Sequence, residues 1–256
     1  TNLIDKDLIM KFLDIAGQDR PIKKKILKDI RQIINQTDFI SGNKVVEFEK
    51  KFSEYCGSKF AIGCANGTDA IFLALKSLNL KKNSEVILPA MTFCSTAFSV
   101  INAGLKPVLV DIDQNKPIVS LQKVKKKINK NTKAIILVHL YGQSCEVQNF
   151  INFKKNKKIF IIEDASQAHG AYDCSNCQNS KEACCKKGLK VGSSSDVSCF
   201  SLYPGKNLGA YGDAGIITTN NKKIYRDIKK LGNLSLIVFQ SVFSIKFTYR
   251  NWFHFM

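Results

Sequence analysis

The chain has 256 residues, of which 45% are hydrophobic and 23% charged, so it is a globular sequence long enough for a sizeable core. It contains no apolar run near the roughly 18 residues of a membrane span and no signal-peptide core, so we expect a cytoplasmic protein without a membrane partner. The net charge of +18 raises nucleic acid as a partner, but the lysines are scattered and arginine is scarce, so we expect no nucleic-acid binding.

Nine cysteines without a secretory signal indicate free thiols in a reducing compartment. Cys174, Cys177, Cys184 and Cys185 have a spacing that a soft metal ion could use. The surrounding run 173–187 is equally typical of a polar insertion in a hairpin, and this is the interpretation we adopt. We therefore predict no metal site.

Residues 1–40 show apolar positions at helical spacing, interrupted near Gly17 and Pro21, which predicts an N-terminal helical segment. An amphipathic helix is predicted over 45–55, after Ser41-Gly42. The side chains expected to face the core are Val46, Phe48, Phe52 and Tyr55.

From residue 60 the chain alternates short apolar strands with helices. The predicted strands are 60–63, 86–88, 108–112, 134–140, 159–162 and 216–219. The predicted helices are 69–80, 96–103, 120–128 and 146–155. This alternation predicts an α/β fold with a mostly parallel sheet covered by helices on both faces.

Ligands of such sheets bind at the carboxyl ends of the strands, and this rule selects the candidate site residues. Gly67 and Thr68 lie between a strand and a helix N-terminus, where free N–H groups favour a phosphate, although many such turns are only helix caps. Asp164 ends a buried strand and needs a cation or hydrogen bonds. Phe93 also follows a strand and could stack on a flat ring, or pack as a core aromatic.

The loop 201–215 carries one lysine, Lys206, among glycines, an aromatic residue and a proline. Loss of water around such a lysine favours the neutral amine, which is a nucleophile. Taken alone, the loop is equally a glycine-rich turn between two strands. With Gln167 and Ser201, however, the candidates supply a phosphate site, a ring stack, an acid and an amine, which is the set that pyridoxal phosphate requires.

Six motifs along the chain resemble, in order and spacing, those of the sugar-nucleotide aminotransferases of the DegT/StrS type. The similarity covers roughly residues 40 to 231. The motifs lie at 66–70, 89–93, 110–113, 139–143, 162–171 and 199–215.

The resemblance implies the large domain of a fold-type I pyridoxal-phosphate enzyme and a homodimer with active sites at the subunit interface. It assigns Lys206 as the Schiff-base lysine and proton shuttle, and Asp164 as the partner of the pyridine nitrogen. Gln167 would support the ring oxygen and Phe93 would stack on the ring. The residues implied to bind the phosphate are Gly67, Thr68 and Ser201.

The implied reaction moves an amino group from glutamate to a keto-sugar attached to a nucleoside diphosphate, for amino-sugar and surface-polysaccharide biosynthesis. The run Gln167-Ala168-His169-Gly170 resembles members that aminate C3 rather than C4. A catalytically silent fragment that still binds pyridoxal phosphate is the alternative.

Three segments are predicted: a helical segment over 1–40, the cofactor-binding domain over 41–231 and an apolar tail over 232–256. The tail has no acidic residue and does not resemble the small C-terminal domain of the family, which we expect to be largely missing. We therefore expect poor folding or aggregation of this exact chain, and no turnover of a sugar nucleotide.

Overall fold

The computed structural model describes residues 13–173, 175 and 188–242, the last ten as helical backbone only. The cysteines at 174, 177, 184 and 185 and the tail beyond 242 lie outside these residues, so the expectations for them stay predictions. Within the described ranges, no group of His, Cys, Asp or Glu side chains could hold a metal ion. Among the described helices, none combines the length and apolar content needed to cross a membrane.

Seven strands alternate with helices along the described chain. The strands are β1 (Phe60–Cys64), β2 (Glu85–Pro89), β3 (Lys106–Val110), β4 (Thr132–Val138), β5 (Phe160–Asp164), β6 (Val197–Ser201) and β7 (Gly215–Thr219). The helices are α1 (Ile15–Asp19), α2 (Lys23–Gln36), α3 (Asn43–Cys56), α4 (Gly67–Ser77), α5 (Cys94–Asn102), α6 (Leu121–Lys125), α7 (Val147–Lys154) and α8 (Lys222–Val242). A 3₁₀ turn, Leu140–Gly142, follows β4.

All seven strands form one sheet in the order β1-β7-β6-β5-β4-β2-β3. Strands β3, β2, β4, β5 and β6 are mutually parallel, and β7 runs antiparallel to both of its neighbours, β6 and β1. Six strands therefore share one direction, and their carboxyl ends meet at one edge. The predicted mostly parallel α/β sheet is confirmed.

Helices cover both faces of the sheet. Strand side chains alternate between the faces, so both faces carry apolar side chains that must be covered. One face packs against α4, α5 and α8 through a continuous apolar cluster. On the other face, α6 and α7 cover the β2, β4 and β5 region and α3 covers the β1 and β7 end. Successive residues of β5 therefore face opposite layers, so Glu163 and Asp164 lie on opposite faces.

The prediction for α3 is only partly right. Phe52 is buried and Phe48 packs at the edge of the core, as expected. Val46 and Tyr55 are exposed by 58% and 49%, which corrects their predicted inward orientation. The reason is that α3 contacts only the β1 and β7 end of the sheet, so a narrow stripe along Phe52 and Cys56 is covered.

Two further boundaries differ from the sequence-based ones. Strand β4 ends at Val138 rather than at Leu140, because Tyr141 adopts a left-handed conformation with φ 56° inside the 3₁₀ turn. Helix α8 continues to Val242, across the boundary predicted between 231 and 232. The division of the chain into three segments stays a prediction.

Candidate active site

A cavity of about 720 Å³ opens at the edge where the carboxyl ends of the parallel strands meet. All seven site residues expected from the sequence line it. They come from the ends of four strands and the elements that follow them: Gly67, Thr68, Phe93, Asp164, Gln167, Ser201 and Lys206. The structure therefore brings together residues that are up to 139 positions apart in the chain (206 − 67).

The N-terminus of α4 forms one wall of the cavity. Asn66 caps the helix, with its side-chain oxygen accepting the N–H of Asp69 at 2.8 Å. Within the described part of the chain, the N–H groups of Gly67 and Thr68 donate to no other residue. Two free N–H groups at the positive end of a helix form a site for an anion.

Gly67 is held close to Ser201 at the end of β6. A Cβ atom added to Gly67 would lie 2.7 Å from Cβ of Ser201 and 3.3 Å from Oγ of Ser166. Glycine is therefore required here by space, and it lets the start of α4 approach Cβ of Ser201. This arrangement places the two parts of the expected phosphate site side by side.

Asp164 is a buried carboxylate that is stabilised by hydrogen bonds. It is only 6% exposed. Oδ2 accepts the hydroxyl of Thr96 at 2.9 Å, and Oδ1 accepts the hydroxyl of Ser166 at 2.7 Å and its N–H at 3.2 Å. Among the described residues, no cationic side chain forms an ion pair with Asp164. Beside the cavity, this buried carboxylate thus has hydrogen-bond donors but no cationic partner from the part of the chain that the structure describes.

Gln167 is oriented by the 3₁₀ turn after β4. The N–H of Tyr141 donates to Oε1 of Gln167 at 2.7 Å. Because the amide oxygen is occupied, the NH₂ group of Gln167 is the part left to donate to a ligand in the cavity. The left-handed conformation of Tyr141, uncommon for an aromatic residue, aims this N–H.

Phe93 is the N-cap residue of α5 and is 73% exposed, so it is not a core aromatic. Its ring is exposed at the cavity rim, and its stacking on a flat ring stays a prediction. Lys206 follows a turn in which its N–H donates to the carbonyl of Tyr203 at 2.8 Å. It is half-buried, and it is the one lysine among the described residues that line the cavity.

A fully buried polar network lies on the opposite face of β5. Oε2 of Glu163 lies 2.9 Å from Nε2 of His139, and Oε1 accepts the hydroxyl of Ser198 at 2.9 Å. Nδ1 of His139 accepts the N–H of Cys145, so the ring proton lies on Nε2 and donates to Glu163. Burial alone would raise the pKa of Glu163, but these hydrogen bonds hold it below its usual value.

This network anchors the polypeptide around the site. The His139 N–H donates to the carbonyl of Asp164 at 3.0 Å, and Tyr141, two residues later, orients Gln167. The side chain of Glu163 therefore holds the turn that positions Gln167, although it does not line the cavity.

His169 lies near the lysine loop. Its ring centroid is 5.3 Å from that of Phe200. Burial, together with the positive charge of Lys206, lowers the pKa of His169 to about 4. The imidazole is therefore neutral at physiological pH.

Several residues without a predicted role also lie at the site. Thr92, Thr96, Ser166, Tyr203 and Asp213 line the cavity. The N–H contact of Ser166 could have been found locally, because an aspartate side chain commonly accepts the backbone N–H two residues later. Thr96 carries no such local signal, since it lies 68 positions from its partner Asp164.

Relatives with known names cover most of this chain. A UDP-N-acetyl-3-dehydro-alpha-D-glucosamine 3-aminotransferase from Acidithiobacillus ferrooxidans is 35% identical over 222 residues, which is 87% of this chain and 57% of the relative. A dTDP-3-amino-3,6-dideoxy-alpha-D-galactopyranose transaminase from Aneurinibacillus thermoaerophilus is 37% identical over 88% of this chain and 58% of its own length. The chain thus spans a little over half the length of these relatives.

Solved structures show the same fold. DesV of S. venezuelae, in complex with a ketimine intermediate, superposes with a TM-score of 0.79 at 30% identity, covering 87% of this chain and 57% of that one. NtdA of Bacillus subtilis with bound cofactor PMP gives a TM-score of 0.74 at 30% identity, and the match covers 86% of this chain and 47% of NtdA. The sequence profile of the DegT/DnrJ/EryC1/StrS aminotransferases matches residues 20–247, which extends beyond both ends of the motif resemblance. The chain belongs to the DegT/DnrJ/EryC1/StrS aminotransferase family.

Proposed function

We propose that this chain forms the cofactor-binding part of an aminotransferase that moves an amino group from glutamate to a keto-sugar carried by a nucleoside diphosphate. Its cofactor is pyridoxal phosphate, as the family and the PMP-bound structural neighbour indicate. The observation that carries the proposal is the convergence of Lys206, Asp164 and the Gly67–Ser201 pair on one cavity.

The residues present fit this cofactor. The free N–H groups of Gly67 and Thr68, with the Ser201 hydroxyl beside them, suit a phosphate. The exposed ring of Phe93 suits a flat aromatic group. Asp164 accepts hydrogen bonds from Thr96 and Ser166 but has no ion-pair partner among the described residues. This arrangement suits a positively charged ring nitrogen.

Each of these residues has a defined task in the proposed reaction. When bound, pyridoxal phosphate supplies an electron sink for the electrons released when a Cα proton leaves the amino donor. With the cofactor bound, the Lys206 amine would hold it at rest and would then carry that proton between the amino donor and the cofactor. Asp164 would hold the proton on the ring nitrogen, Gln167 would donate its NH₂ to the ring oxygen, and Phe93 would keep water from one ring face.

The names of the relatives support the substrate class. Two of them are named as a 3-aminotransferase and a transaminase of 3-amino sugars, linked to UDP and dTDP respectively. We infer that the acceptor here is also a keto-sugar on a nucleoside diphosphate, and that the amino group enters at C3, in line with the run Gln167–Gly170.

We also propose a homodimer that works in the cytoplasm. Several aromatic side chains around the cavity mouth and the lysine loop are exposed, and a second copy could cover them. They are Phe93, Tyr141, Tyr203 and Tyr211, which are 57–73% exposed. The free thiols of the five described cysteines suit a reducing compartment. Light scattering coupled to size exclusion would contradict the dimer by showing a monomer in the presence of cofactor.

The proposed function is tested by adding pyridoxal phosphate to the chain, reducing with borohydride and locating the added mass by peptide mass spectrometry. We expect the modification on Lys206. Release of 2-oxoglutarate on addition of glutamate then tests the donor half of the reaction. A reduced product on other lysines only would overturn the assignment of this site.

A further inference from the structure

Two threonine hydroxyls connect the cavity wall to the buried carboxylate of Asp164. Thr96 lies in the first turn of α5 and is fully buried, and its Oγ1 lies 2.9 Å from Oδ2 of Asp164. Oγ1 of Thr92, which precedes the same helix and lines the cavity, lies 2.8 Å from Oγ1 of Thr96. The three groups form a continuous chain of hydrogen bonds.

The direction of donation in this chain follows from the chemistry of its ends. An ionised carboxylate can only accept, so the hydroxyl proton of Thr96 points to Asp164. Thr96 can then only accept from Thr92, so the Thr92 proton points to Thr96. The order of donation is therefore Thr92 to Thr96 to Asp164.

The donors on the two carboxylate oxygens fix the plane of the group. Ser166 occupies Oδ1 from one side with its hydroxyl and N–H, while Thr96 occupies Oδ2 from α5. Rotation of the carboxylate would break one set or the other. The lone pairs that remain are available to a donor in the cavity. If Thr96 were absent, Ser166 alone would hold the carboxylate, and the buried charge would lose a charge-assisted hydrogen bond.

We propose that Thr96 is a positioning residue, which holds the Asp164 carboxylate aimed at a positively charged ring N–H, and that Thr92 fixes the Thr96 hydroxyl in its donating orientation. This inference rests on the proposed function, because it concerns the group that Asp164 would bind. It adds two residues, both on the segment that carries Phe93, to the set that holds the cofactor ring.

The test compares binding of pyridoxal phosphate with binding of its 1-deaza analogue, in which carbon replaces the ring nitrogen. Dissociation constants are measured by absorbance and fluorescence titration of the whole chain. The preference is the ratio of the dissociation constant of the analogue to that of pyridoxal phosphate, and we expect the wild-type chain to prefer pyridoxal phosphate. Thr96→Val should reduce this ratio by about tenfold, which is the effect of one hydrogen bond to a charged group. Thr96→Ser keeps the hydroxyl and should restore the preference.

Two controls separate this role from general packing. Thr218→Val makes the same substitution at a fully buried hydroxyl, which donates to the carbonyl of Gly192 at 2.8 Å, and should leave the preference unchanged. In an Asp164→Asn background, Thr96→Val should cause no further loss of preference, because the group through which it acts is gone. The inference would be overturned if Thr96→Val weakened the binding of both ligands equally.

Thr92→Val is the second variant, and it keeps the test decisive if Thr96→Val does not fold. It should lower the preference by a smaller factor, since it removes only the outer hydrogen bond. An unchanged preference in this variant would then overturn the inference. A wild-type chain that binds both ligands, with a ratio unaffected by either threonine, contradicts the inference alone. A wild-type chain that binds neither contradicts the proposed function as well.

Discussion

Gly67 and Ser201 approach so closely that a single methyl group between them would collide, since a Cβ at Gly67 would lie 2.7 Å from Cβ of Ser201. The contact joins the start of α4 to the end of β6. Because both residues face the same cavity, the contact sets the width of the expected phosphate site.

Gly67→Ala is expected to weaken binding of pyridoxal phosphate by at least about tenfold, because α4 must move away from Ser201 and a hydrogen bond to the charged phosphate is lost. Affinity is measured by titration. Gly104→Ala is the matched control, since Gly104 has φ +80° and open space around it. It should lower stability by about 1 kcal/mol through backbone strain, without changing affinity. Equal affinity loss in both variants would contradict this account.

Lys206→Ala is expected to abolish the borohydride-reducible link between chain and cofactor, because Lys206 is the one lysine among the described residues lining the cavity. Intact mass after reduction gives the result. Lys206→Arg should fail in the same way, since a guanidinium stays protonated and is no nucleophile. Lys76→Ala, on an exposed position of α4, should leave the link intact. A persistent stoichiometric link in Lys206→Ala would refute the assignment.

Asp164→Asn is expected to retain the cofactor but to slow the half-reaction with glutamate by about two orders of magnitude, the lower end of what a positioned proton-holding group contributes. An amide cannot hold a proton on the ring nitrogen, so electrons from the donor are stabilised less. Stopped-flow absorbance measures the rate, and retained cofactor is checked on the same sample. Near-normal rates would remove Asp164 from this role.

Glu163→Ala is expected to lower the free energy of unfolding by about 3 kcal/mol, because it leaves the His139 and Ser198 donors buried without an acceptor. Urea denaturation measures the change. Glu47→Ala removes an exposed pair with Lys51 (2.6 Å) and should have little effect. A similar, small effect in both variants would show that the buried network does not anchor the structure.

The pH dependence of stability should contain a contribution from His169. Its pKa is lowered to about 4 in the folded chain, against about 6.5 when unfolded. The unfolded chain therefore binds more protons between these values, and stability falls as pH decreases from about 6.5 to about 4. We expect His169→Gln to make this loss in the free energy of unfolding smaller by about 1 kcal/mol. The figure is kept small because the ring is partly exposed. This would be contradicted if the difference in the free energy of unfolding between variant and wild type stayed constant from pH 7 to pH 4.5.

The sequence by itself determined the alternation of strands and helices and six of the seven strands, because apolar periodicity is a local property of the chain. Strand β6 was not among the predicted strands. It also located the ligand edge, since strand ends in a parallel sheet share one side. Asp164 ends one such strand and Gly67 follows another. The individual cofactor roles came from the motif resemblance. Which side of α3 is covered could not be predicted, because that depends on where the helix lies on the sheet.

Only the tertiary structure decided which groups meet at the site. Thr96 and Asp164 are 68 positions apart, and Tyr141 and Gln167 are 26 apart. Their contacts depend on the strand order and on the packing of α5 against the sheet, which no local pattern encodes. The burial of the Glu163 network is of the same kind, because Ser198 reaches it only through the parallel register of β5 and β6. Local patterns fix how each segment folds, whereas hydrogen bonds between distant segments are decided by how the segments pack.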